Sequence, residues 1–306
     1  MQVESDNSSS PFSHLLADKY PAIKAQYPTE GRRKRRLRAA ELFWGLSAND
    51  KAAYANSTSS ARGSTDGFGK ADFATDGDPY DAFSGNAPGL GVLVRTDYSD
   101  EEAWKAFCAK LQEGEAEFKA AAEEQDATDE PMEAGGDAPA TEQAAGDEEM
   151  DQEDDDAEEE ESSQIIFVVD APSPSRAALM HISNLAALRL LNDVDVRRAP
   201  PRPADTPKAK AHRLVDQDGW QEVYVGKTVW VYDARSNVDQ SVRLVSQQGG
   251  MYGTATGDSW RARVRHVCEL QVNLSSGAMK IDFGGLDRWD YDERLRNLQE
   301  AVDTSI

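Results

Sequence analysis

Four aspartates close apolar runs in this chain: Asp97 in "LVRTD", Asp170 in "FVVD", Asp233 in "VWVYD" and Asp282 in "MKID". If these runs are parallel neighbours in one sheet, the four carboxylates gather at a single edge. Hard oxygen ligands gathered in that way bind a divalent cation such as Mg²⁺ and support phosphoryl or phosphodiester chemistry. The competing account is structural, because aspartate opens turns and caps helices after strands. Asp97 precedes a helix start and Asp170 lies two residues before Pro172, which suits that role. No other motif calls for a cofactor or names a catalytic residue. "GKT" (226–228) lacks the upstream glycine of a phosphate-binding loop. "GLG" (89–91) precedes a strand, the wrong order for a dinucleotide site. His14, His181, His212 and His266 show no metal-ligand spacing, and neither a serine nor a cysteine sits in a nucleophile elbow.

A second chemistry is written in "RRKRRLR". Arg32, Arg33, Lys34, Arg35, Arg36 and Arg38 fall within seven residues. Such a run neutralises phosphates, serves as an import signal, or forms a charged helix that docks on the rest of the chain. The sequence leaves these three uses open.

The elements that must position these residues follow from periodicity. Residues 1–10 are polar and expected to be disordered. Residues 11–56 read as helical. Residues 57–88, rich in Gly, Ser, Asp and Thr, read as a flexible linker that docks loosely through Phe68, Phe73, Tyr80 and Phe83. A mixed α/β domain then spans 89–302. Its strands are expected at 91–97, 164–171, 222–234, 241–247, 260–274 and 279–283. Its helices are expected at 99–118, opened by a Ser99/Glu102 capping box, and at 175–193 and 290–302. The fold class is therefore α+β or α/β, a mixed sheet with flanking helices, plus a small all-α N-terminal segment. Two excursions interrupt the domain, a disordered acidic insertion at 119–163 and a basic, Pro-rich stretch at 197–213.

Charge is distributed unevenly. The 306 residues carry a net charge of −23. Residues 112–163 hold 23 Asp or Glu against one Lys, a local −22, so the remainder is close to neutral. Residues 1–70 hold 11 Lys or Arg against 7 Asp or Glu, a local +4. A basic head before an acidic tract predicts electrostatic masking within the chain or exchange with a partner. Cys108 and Cys268 are too few for a disulfide framework and are expected as buried free thiols in a reducing compartment. With neither a secretory leader nor a membrane span in the pattern, the expectation is a nuclear or otherwise cytoplasmic protein that is not secreted.

Two resemblances add to this reading. Residues 11–54, through Phe12, "YPAIKAQYP" (20–28) and "LFWGLSANDKAAY" (42–54), resemble an HMG box, the three-helix minor-groove DNA-binding module. The resemblance implies that Phe12 is the base-step wedge. Lys24, Arg32, Arg33, Lys34, Arg35, Arg36 and Arg38 would be phosphate contacts, and Phe43, Trp44 and Tyr54 core. DNA or chromatin is then the implied partner, with the acidic tract folding back on the basic face. The third helix fades early into "ANSTSSARGSTDG", so the box is truncated. Beyond Gly89, "GLGVLVRTDYSDEEAWKAF", "IIFVVDA" and "VRHVCELQVNLSSGAMKIDFGGL" resemble an uncharacterised domain family of bacteria and fungi, which implies a fold outline and no chemistry. The sequence thus supports a non-enzymatic interaction protein with a DNA-contacting head, or a metal-dependent enzyme built on the four aspartates.

Overall fold

A computed structural model describes residues 10–56, 72–81, 90–128, 164–173, 176–201, 210–247, 257–281 and 290–303. Of the segments expected to be disordered, 1–9 of 1–10 and 129–163 of 119–163 lie outside these residues, as does Asp282, while 119–128 are helical. The head consists of helices α1 (Pro11–Gln26), α2 (Arg32–Gly45) and α3 (Ala48–Asn56). The hydroxyl of Ser10 accepts the Ser13 amide, and Pro11 fills the first position, where its missing N–H costs nothing.

The body is a five-stranded sheet of order β2–β1–β5–β6–β7. Its strands are β1 (Gly91–Arg95), β2 (Ile166–Val169), β5 (Thr228–Tyr232), β6 (Ser241–Val245) and β7 (Ser259–Arg263). Strands β2, β1 and β5 run parallel, whereas β5, β6 and β7 alternate. Helix α5 (Glu101–Thr128) links β1 to β2. β1 is buried along its whole length, as a central parallel strand covered on both faces must be. A second, two-stranded sheet pairs β3 (Asp193–Arg198) antiparallel with β4 (Trp220–Val225). This is the expected mixed α/β body with an all-helical N-terminal segment.

Two apolar clusters sandwich the main sheet. Leu93, Trp230 and Tyr232 pack with Trp104, Phe107 and Leu111 of α5 on one face. There they also meet Val267 and Leu270 of α9 (Val267–Ser275). On the other face, Val92, Val94, Val229 and Val231 join Leu185 and Leu188 of α7 (Asn184–Leu191). That second cluster also contains Phe12, Leu15, Leu16, Tyr20, Ala39 and Phe43 of the head. The head and the body therefore share one continuous core.

Several expectations need correction. The strand expected over 260–274 stops at Arg263 and turns through a 3-10 segment, Val264–His266, into α9. Val267, Leu270 and Leu274 recur at helical spacing, which wins over the β-branched character. The single run 222–234 is two strands in different sheets, β4 and β5, split at Gly226-Lys227. Residues 193–198, which run from the end of the helix expected at 175–193 to the start of the excursion expected at 197–213, form β3. The helix expected over 175–193 is broken into α6 (Arg176–Leu179) and α7, because Ser183 caps α7 anew and His181 adopts a left-handed backbone with φ 55°. The cap of α5 is Asp100, whose carboxylate accepts the Ala103 amide, while the Ser99 hydroxyl turns to Asp97. Residues 279–281 form no strand. Two short helices, α4 (Asp72–Thr75) and α8 (Ala234–Asp239), and the closing helix α10 (Tyr291–Val302) complete the described elements. Both cysteines are free, Cys268 buried and Cys108 half-buried, and burial pushes their thiols up to about 12 and about 11.

Candidate functional site

The arginine helix is the first candidate. α2 begins at Gly31, which has no side chain to cap it. The cap comes instead from Asp78, 45 residues away: one carboxylate oxygen accepts the Arg33 amide at 2.8 Å and the other meets the Arg33 guanidinium at 2.8 Å. A side-chain carbon at Gly31 would collide with Asp78 and Pro79, so glycine is what admits this close approach. Asp81 forks onto Arg32 at 2.9 and 2.9 Å, and Arg32 also reaches Asp193 of β3 at 3.2 Å. Arg35 takes Asp76 at 2.9 Å and the carbonyls of Tyr27 and Pro28 just beyond α1. Arg36 donates to the carbonyls of Val194 and Phe73. Arg38 forks onto Glu30 and lies over the Tyr27 ring, 3.6 Å from its centroid. Lys24 bridges Asp72 and Asp76.

Residues 72–81, expected as a loose linker, are thus an acidic strap laid along the basic helix. Phe73 does pack on Tyr20, at 6.2 Å between centroids, but the carboxylates make the polar grip. Burial raises the Asp76 carboxyl, and its bonds from Lys24 and Tyr20 with the Arg35 charge outweigh that and hold it below the ordinary value. Asp81 is held low by Arg32 and Arg33 against the same burial effect. Arg32, despite desolvation, is raised by Asp81 and Asp193, while desolvation outweighs the nearby carboxylates and lowers Arg36. Of the six basic residues in α2, Lys34 alone is exposed. Phe12 is fully buried, edge-on to Phe43 at 6.1 Å. Asp72, Asp76, Asp78 and Asp81 are visible in the sequence, but no local period there ties them to cations some forty residues earlier.

The strand-end aspartates are the second candidate. Asp97, Asp170 and Asp233 follow β1, β2 and β5, three parallel neighbours, so their backbones do converge on the carboxyl edge of the sheet. In α/β sheets this edge is where ligands bind. Their oxygens are turned to other work. Asp97 accepts from the Ser99 amide and hydroxyl (3.0 and 2.5 Å) and from Asn237 (2.9 Å), with His181 Nδ1 at 3.9 Å. Burial raises its carboxyl, and these donors together bring it below the usual range. Asp170 accepts from Arg95 and from the Trp104 indole. Arg95 has no exposed surface and holds Glu101, Asp170 and the Asp97 carbonyl, between the rings of Tyr98 and Trp104. Asp233 caps α8 through Ser236 and takes Arg243 and Arg261. Among the described residues no group of three or more His, Cys, Asp or Glu is placed to hold a metal ion.

The head is bound to the body by further polar ties. The Trp44 indole donates to Glu222 at 2.9 Å, Arg213 pairs with Glu41, and Phe43 meets Trp220 edge-on at 5.6 Å. No helix among the described residues is long and apolar enough to cross a membrane. Comparison with protein-family models, with curated proteins and with solved structures returns no match.

Proposed function

We propose that this chain is a non-enzymatic interaction protein whose helical head is a fixed layer of the α/β body. The supporting observation is the fate of the arginines in α2. Arg32, Arg33, Arg35, Arg36 and Arg38 all end on carboxylates or carbonyls of the same chain. A phosphate that took their place would have to displace charge-assisted bonds made at partly or wholly buried positions.

A second reading keeps the resemblance to an HMG box. Asp76, Asp78 and Asp81 are oxygen acceptors set on a basic helix, as phosphates would be, so the strap would act as an internal stand-in for DNA, with the acidic tract adding to the masking. The same displacement would have to precede recognition of "RRKRR" by an import receptor, so a nuclear location belongs to this second reading.

A gel-shift titration on linear and four-way-junction DNA separates the two. Its samples are the full chain, a chain lacking residues 119–163, and Asp78→Ala. The leading reading expects no salt-sensitive, shape-selective complex from any of them. A complex that strengthens when the tract or the Asp78 clamp is removed would replace it with the masked-DNA reading.

A further inference from the structure

The closing helix α10 is mounted inside out. Its apolar residues, Tyr291, Leu295, Leu298 and Val302, recur at spacings of four, three and four, the stripe an amphipathic helix ordinarily turns to the core. Here Tyr291, Leu295 and Val302 are 59%, 48% and 54% exposed, and Leu298 between them is half-buried. The buried side is Glu293, Asn297 and Ala301. The reason lies in α7, whose first-turn amides have no partners within their own helix. Glu293 accepts the Asn184 amide at 2.6 Å and Asn297 accepts the Leu185 amide at 3.1 Å. Asn297 also donates to the Gly257 carbonyl, Glu300 takes the Ser183 hydroxyl, and Glu293 pairs with Arg243 at 3.3 Å. Rotating α10 to bury its stripe would break all of these at once.

We infer that the outward stripe of α10 docks an amphipathic helix of a partner protein, apolar along its contact seam and basic on its flanks. The four-three-four spacing is that of the seam between two packed helices. The flanks decide which helix. Arg294 is taken by Asp258, and Arg296 by Glu300 and Glu293. Asp290, Asp292 and Asp303 stand exposed at the two ends. A second copy of α10 packed antiparallel would set Asp292 toward Asp303 of its twin at both ends, and a parallel copy would set each against its like. A helix carrying Lys or Arg beside its apolar seam meets the same carboxylates with attraction. This inference rests on the interaction-protein reading and names a surface for it.

The test uses the full chain and a fluorescein-labelled synthetic helix with Leu at the seam positions and Lys on the flanks, followed by anisotropy at about 0.15 M salt, where exposed charges are screened beyond about 8 Å. Controls are a scrambled peptide of the same composition and the variants Leu295→Glu and Asp292→Lys. Both substituted residues are exposed, so the fold is kept, and a thermal melt checks it. We expect saturable binding, at least tenfold weaker for the scrambled peptide and for Leu295→Glu, and severalfold weaker for Asp292→Lys. Equal binding by wild type and Leu295→Glu would mean attraction to the acidic tract and would overturn the inference. So would absence of binding, or a wild-type dimer in sedimentation that Leu295→Glu dissolves. None of these outcomes bears on the arginine clamp, which the gel shift reads separately.

Discussion

Asp78 is the residue whose removal reads the strap most directly. Its side chain and that of Arg33 are 3% and 6% exposed, so their ion pair is made out of water. Asp78 also caps the first turn of α2 through the Arg33 amide, since Gly31 offers no side chain to do so. Truncating one member of a buried pair costs about 3–5 kcal/mol, because the other charge is left in a dry place. Loss of a helix cap adds about 1 kcal/mol. Against this, Arg33 retains Asp81 at 2.9 Å, which places the net cost of Asp78→Ala near the lower end, about 3 kcal/mol. With a urea slope of about 2–3 kcal/mol per molar, the unfolding midpoint falls by roughly 1–1.5 M. Asp78→Asn keeps an acceptor for the Arg33 amide and loses the charge, so it falls between. Asp72→Ala removes a 60%-exposed partner of Lys24 and is expected to leave the midpoint unchanged. The assay is equilibrium urea unfolding followed by tryptophan fluorescence, since Trp44 and Trp220 lie in and against the head. If Asp78→Ala loses no more than Asp72→Ala, the strap is not clamped on α2 and the account of the arginines fails.

Three other outcomes follow from the structure. Folding lowers the carboxyls of Asp76 and Asp81, so the unfolded chain binds their protons more readily; their contribution is complete above about pH 4 and is lost as pH falls through the lowered folded values. Urea midpoints measured from pH 6 to pH 3 should drop in that acid window, and an Asp76→Asn variant should show a shallower drop. Adding Mg²⁺ or Mn²⁺ should leave the melting temperature unchanged, since the oxygens of Asp97, Asp170 and Asp233 are engaged by donors within the chain. Asp233→Ala should cost about 2–4 kcal/mol by freeing two arginines and uncapping α8. A cation-dependent rise in melting temperature that Asp97→Ala abolishes would instead revive the metal reading.

Local pattern was enough for much of the frame. The helical head, β1, β2, β6 and α10 were legible because each is announced within a few residues by its own composition and period. The parallel order that brings Asp97, Asp170 and Asp233 to one edge stood in the sequence only as a condition, since no local pattern says which strands are neighbours; the tertiary structure met it. Sequence could not say what those aspartates hold, because Arg95, Asn237, Arg243 and Arg261 reach them from other elements. The same limit applies to α2. Its composition declares a basic helix, but the strap carboxylates that meet Arg32, Arg33 and Arg35 lie 41 to 49 residues onward, in a stretch that reads as linker. Charge pairing at that separation depends on how the chain folds back, and no local period encodes it. α10 shows the limit most plainly. Its sequence determines that Tyr291, Leu295, Leu298 and Val302 share a stripe. Which way the stripe faces was decided by the unsatisfied amides of α7, which drew Glu293 and Asn297 inward and turned the apolar side to solvent.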